Sequence, residues 1–123
     1  MKFEGVCLLT TDVPRLAEFY AAVFATEAEG DDHHVVMQIG GLGLAIWHPE
    51  GLAQRIADYP SHVRRNCFSL MFSADDLDAE YERIKQLNVE FTELPTTHPW
   101  GAKSFAFVDP DGNNIDVHMV LAR

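Results

Sequence analysis

The feature that most constrains this chain is an internal repeat with an offset of 64 residues. Asp12 and Asp76 each stand before an amphipathic stretch, and the same offset places Val13 on Leu77, Ala17 on Tyr81, Tyr20 on Ile84 and Val23 on Leu87. Apolar side chains recurring every three to four residues behind a capping acid mark one buried helix face. Each of these helices follows a strand-like run, residues 3–11 in the first copy and 66–74 in the second, where Phe68, Leu70 and Phe72 alternate. Each is followed by three short strand candidates. In the first copy these lie within 26–48, divided by Gly30-Asp31-Asp32 and by Gly40-Gly41. In the second they are Val89–Glu93, Ala102–Val108 and Asn114–Leu121, with Thr96–Gly101 as a loop and Asp109-Pro110-Asp111-Gly112-Asn113 as the final turn. The stripe of the second helix runs Leu77, Tyr81, Ile84, Leu87.

The fold class expected from this order is α+β, two tandem βαβββ modules. Module 1 covers about residues 1–48 and module 2 about 66–123. Between them lies a linker at 49–65, polar and punctuated by Pro and Gly, with a short helix expected near Leu52–Asp58. The whole chain of 123 residues is one domain by length, and 47 % apolar content is enough to build a core without disulfides. Cys7 and Cys67 form no CxxC pair and read as buried, reduced thiols. No apolar run approaches the ~20 residues of a membrane span, and the first residues lack the pattern of a secretory signal. A cytoplasmic protein with no membrane partner is the expectation.

The formal charge is −10, with 19 acids against 9 Lys and Arg. Such a surface repels phosphate backbones, which argues against a nucleic-acid partner. It attracts small cations. Residues 1–48 carry seven acids and two bases and residues 66–123 carry ten and four, whereas 49–65 carry two and three.

Three stretches resemble the vicinal oxygen chelate superfamily, which includes glyoxalase I, bleomycin-resistance proteins and extradiol dioxygenases. They are Asp12-Val13 with Glu18-Phe19-Tyr20, the helix start Asp75-Asp76-Leu77-Asp78-Ala79, and Pro99-Trp100-Gly101 leading to Phe105-Ala106-Phe107-Val108-Asp109-Pro110-Asp111-Gly112-Asn113. The resemblance implies that the modules curl their sheets into a half-barrel around a cleft, commonly completed by a second subunit. A homodimer is therefore expected. It also implies where metal-using members carry their ligands: Gly5 on the first strand, Ala45 on the fourth strand of module 1, Ser69 in module 2 and Asp116 on the last strand. Glycine and alanine offer no donor atom and a protonated serine is a poor ligand, so neither a metal nor another cofactor is expected.

If those positions face the cleft, strand parity brings Cys7 and Leu9 with Gly5, Trp47 with Ala45, Cys67, Met71 and Ser73 with Ser69, and Asn114 and His118 with Asp116. The expected ligand-binding set is Trp47, Asp116, His118, Trp100, Ser69, Cys7 and Met71, with Trp47 and Trp100 as stacking faces. The remaining histidines, His33, His34, His48, His62 and His98, read as polar surface. The leading function is binding of a planar or cationic organic compound. One alternative is a lyase, isomerase or dioxygenase using a relocated metal or Asp116 and His118 as acid and base. Another is an interaction module whose cleft is packed shut.

Overall fold

The computed structural model describes residues 1–50 and 68–121. The short helix expected near Leu52–Asp58, together with His62 and Cys67, falls outside them. The chain divides into two compact units, Met1–Arg64 and Arg65–Arg123.

The first unit runs β1 (Gly5–Leu9), α1 (Val13–Phe24), β2 (Glu29–Gly30), β3 (His34–Ile39) and β4 (Leu42–Trp47), with sheet order β1-β4-β3-β2. β1 pairs parallel to β4 and the other neighbours are antiparallel. The helix starts where the sequence places it. Asp12 Oδ1 accepts the Arg15 N–H at 3.2 Å, and Pro14, with no N–H to lose, sits in the first turn. Leu16, Tyr20 and Val23 bury the α1 face over Leu8, Val35, Met37, Leu44 and Ile46. The second unit repeats this order: β5 (Ser69–Ser73), α2 (Leu77–Lys85), β6 (Glu90–His98), β7 (Ala102–Val108) and β8 (Asn114–Val120), with sheet order β5-β8-β7-β6. Asp76 Oδ1 accepts the Ala79 N–H at 3.0 Å. Phe105, Phe107, Ile115 and Val117 form the buried floor beneath Leu77 and Ile84. Burying each phenylalanine contributes about 1.5–3 kcal/mol. The α+β class and both βαβββ modules are thus as expected.

Four local expectations need correction. Cys7 is exposed, because β1 turns Leu8 toward α1 and its neighbours to the other face. The third module-2 element is longer than Val89–Glu93: β6 continues to His98, so the first half of the expected Thr96–Gly101 loop is strand. The chain does so despite Pro95, which has no N–H for a ladder. Pro95 lies inside a register shift between Glu93 and Thr96 on an edge strand, where a missing donor and an extra residue are tolerated. Leu87 does not join the helical stripe. α2 ends at Lys85, and Leu87 lies beyond its cap and is exposed. The module-2 strand expected over 66–74 is described as Ser69–Ser73.

The turn between β7 and β8 is built by Asp109. Its Oδ1 accepts the N–H groups of Asp111 and Asn113 at 2.9 and 2.8 Å, and its Oδ2 accepts Asn113 Nδ2 at 2.8 Å. Gly112 takes the left-handed φ of 86° that this turn demands.

Candidate functional site

Strand alternation sends one set of side chains to α2 and leaves the other on the far face of the second sheet. The register sets that face out in rows. Ser69 pairs with Asn114, Met71 with Asp116 and Ser73 with His118 across β5 and β8. Asp116 and His118 pair with Ala106 and Ser104 on β7, and these pair with Glu93 and Thr96 on β6. Ala106 is a small residue between the rows' two carboxylates, Glu93 and Asp116.

The polar side chains on this face are connected. Ser104 Oγ donates to Glu93 Oε1 at 2.6 Å and lies 2.7 Å from Nε2 of His98, while His98 and Glu93 are 3.8 Å apart. Asn114 Nδ2 donates to Ser69 Oγ at 2.7 Å. Burial raises the Asp116 carboxyl above its ordinary pKa, and Glu93 adds to this by repulsion. The imidazoles of His118 and His98 partly oppose it. His118 Nδ1 is buried with no hydrogen-bond partner among the described residues. An orphaned polar atom of this kind typically costs about 1–3 kcal/mol until something satisfies it. Trp100, in the turn after β6, is 76 % exposed and stacks on His98 with ring centroids 4.4 Å apart and planes 4° apart.

Of the expected ligand-binding residues, Ser69, Met71, Asp116 and His118 therefore share one face, with Trp100 at the end of β6. Trp47 and Cys7 belong to the first unit. There β1, β4 and β3 carry Cys7, Ala45 and Val36 in one row, and Leu9, Trp47 and His34 in the next, all on the face away from α1. Trp47 is half-buried, its ring 5.3 Å from that of His34. A cavity of about 520 Å³ opens beside this face, lined by Glu4, Gly5, Cys7, Gln38 and Gly43 among others. His33 and His34 are exposed, as expected, and their N–H groups are taken by Asp31 Oδ1. His98 is not lone polar surface but a hydrogen-bonded, stacked member of the second face. Sequence reading missed it because it ended β6 at Glu93, and it put Glu93 and Ser104 on strands without assigning either to the site. The signal was the period-2 spacing of Ser104, Ala106 and Val108 opposite Phe105 and Phe107.

The residues do not fit a metal ion of the kind the resemblance implies. A Cβ placed on Gly5 would lie 1.8 Å from the Gly43 carbonyl oxygen, so β1 cannot carry a side chain there without moving β4. Among the described residues no three His, Cys, Asp or Glu side chains are grouped to share an ion. No helix among them is long and apolar enough to cross a membrane.

Comparison with known proteins agrees along nearly the whole chain. The family model described as Glyoxalase/Bleomycin resistance protein/Dioxygenase superfamily matches residues 2–117. The uncharacterized protein YraH of Bacillus subtilis (strain 168) is 23 % identical over 128 residues, covering 98 % of this chain and all of YraH. A crystal structure of a glyoxalase/bleomycin resistance protein/dioxygenase family enzyme from Burkholderia phytofirmans PsJN superposes with a TM-score of 0.83 at 17 % identity, over 98 % of this chain and all of that one. A structure from the mobile metagenome of V. Pseudocholerae superposes with a TM-score of 0.74 at 26 % identity, covering 97 % of this chain and 94 % of that one.

Proposed function

The chain belongs to the glyoxalase/bleomycin-resistance/dioxygenase superfamily, and on that premise we propose that it binds a small planar or cationic organic compound without a metal ion. The observation that carries this reading is the composition of the second sheet's far face. Two carboxylates, two imidazoles and a small-residue floor lie beside an exposed tryptophan, with no set of three ion ligands among the described residues. A face with an aromatic plate and a few directed polar groups has the side chains that organic ligands use. The unpartnered Nδ1 of His118 is a group that a ligand would satisfy. The charge of −10 raises the local concentration of cations and speeds their capture.

A thermal-shift screen of planar amidinium, ammonium and neutral aromatic compounds tests the reading, since a ligand that prefers the native state raises the melting temperature. Asp116→Asn should weaken a cation more than its neutral analogue. Absence of any shift across all three classes would sink the proposal.

Acid–base catalysis is the second reading, favoured by the raised pKa of Asp116 beside His118. A carboxyl held toward its protonated form is suited to give a proton, and a neighbouring imidazole to take one. His118→Ala separates the readings: it removes turnover while leaving binding nearly intact under catalysis, and changes affinity modestly under simple binding. We further propose that the protein acts as a homodimer in the cytoplasm. β5 and β6 are edge strands of their sheet, and a second chain is one way to cover such edges.

A further inference from the structure

By composition Glu93, Ser104 and His98 could be a hydrolytic triad; their geometry assigns the protons differently. Ser104 is only 7 % exposed, with its Oγ 2.6 Å from Glu93 Oε1 and 2.7 Å from His98 Nε2. A hydroxyl has one proton, and an ionised carboxylate has none to give. The Ser104 proton therefore lies toward Glu93, and Nε2 of His98 must be the donor to Oγ. A nucleophilic serine donates to its histidine instead. Neutral His98 is thereby held as the Nε2–H tautomer, and its lone pair is on Nδ1. Nδ1 has no partner among the described residues, and the ring it belongs to is fixed by its stack on Trp100.

We propose that His98 is a specificity-determining acceptor. Its Nδ1 receives a hydrogen bond from an in-plane O–H of a neutral, phenol-like aromatic ligand that lies against the exposed Trp100. Three features select this class. The Nδ1 lone pair lies in the plane of the imidazole, which runs parallel to Trp100, so the matching ligand shares the plane of His98 against that same indole face and carries its donor in the plane. Glu93 and Asp116 on the same face repel an anion. Imidazole Nδ1 in this tautomer offers nothing to a ligand that can only accept. The proposal rests on the reading of this face as an organic-ligand site.

The test uses the whole protein labelled with ¹⁵N-histidine. Long-range proton–nitrogen NMR at mildly alkaline pH should show His98 protonated on Nε2 and bare on Nδ1, and Ser104→Ala should remove that preference. Phenol and anisole, which differ in the donor proton, are then titrated. Phenol should bind about five- to tenfold more tightly and shift His98 Nδ1, as expected for one hydrogen bond. His98→Phe, which keeps a stacking ring and loses the acceptor, should bring the two close to equal. A proton on Nδ1 in the wild type overturns the proposal without any ligand. Equal binding of both probes overturns it too and leaves the reading of the face standing. If neither probe binds, this proposal falls, and the reading of the face falls with it only when the cationic compounds of the thermal-shift screen fail as well.

Discussion

Gly5 and Gly43 show how much a single side chain decides in this fold. A Cβ on Gly5 would meet the Gly43 carbonyl oxygen at 1.8 Å, whereas one on Gly43 would meet its nearest neighbour, the Glu4 carbonyl oxygen, at 3.5 Å. Gly5→Ala should therefore cost about 1–3 kcal/mol, as overpacked sites do, and Gly43→Ala much less. Urea unfolding of the two variants checks the order. Asp116 gives a prediction in pH. Burial raises its pKa in the folded state, so the folded chain holds this proton more tightly than the unfolded chain. The stability it contributes is fully present below its unfolded pKa and is lost as pH rises through the folded value. Asp116→Asn should accordingly melt higher than the wild type at neutral pH. That advantage should vanish as the medium is acidified through and below the ordinary carboxylate range. A melting series for both proteins across that range reads the sign. Trp47 is half-buried on the face away from α1, so Trp47→Ala should leave the protein folded by circular dichroism. Phe105→Ala, at a fully buried ring, should cost about 3–5 kcal/mol.

At the scale of elements, the two helices test how far a capping acid governs a start. The Asp76 side chain accepts one N–H of α2, and the helix also carries Asp78 and Glu80 in its first turn and Arg83 and Lys85 in its last. Charges so placed oppose the helix dipole favourably. Asp76→Ala should cost about 1 kcal/mol through the lost bond to Ala79, and Asp76→Asn, which keeps an acceptor, clearly less. The shift of the denaturation midpoint at constant slope measures it. β6 is the element where pattern reading failed. Pro95 reads as a strand breaker, yet it falls in a register shift on an edge strand, where the missing N–H breaks no inner ladder. That extension brings His98 opposite Ala102, and so within reach of Ser104. Local composition could not reveal this, because a bulge is a relation between two strands.

At the scale of the whole molecule, the lack of a fitting ion site among the described residues makes a clear expectation. Protein purified without metal affinity should carry far less than one equivalent of Fe, Mn, Ni or Zn by elemental analysis. Its melting temperature should not fall on treatment with a chelator. Light scattering at micromolar concentration should give twice the chain mass of 13.8 kDa if the proposed dimer forms.

The sequence by itself determined the order and type of the elements. Capping acids at Asp12 and Asp76, helical spacing of apolar residues and period-2 alternation act within a few residues of each other. They fix helix starts, buried faces and the Asp109 turn without reference to distant parts of the chain. Strand parity likewise placed Ser69, Met71, Asp116 and His118 on one side, because alternation is a property of a single strand. What tertiary structure alone decided is which strands lie beside which, and at what register. The pairing of β6 with β7 joins Glu93, His98 and Ser104 across residues up to 11 apart in sequence. The parallel pairing of β1 with β4 presses Gly5 against Gly43, 38 residues away. Proton positions and excluded side chains follow from distances between strands, and those are set by packing, which no local pattern encodes.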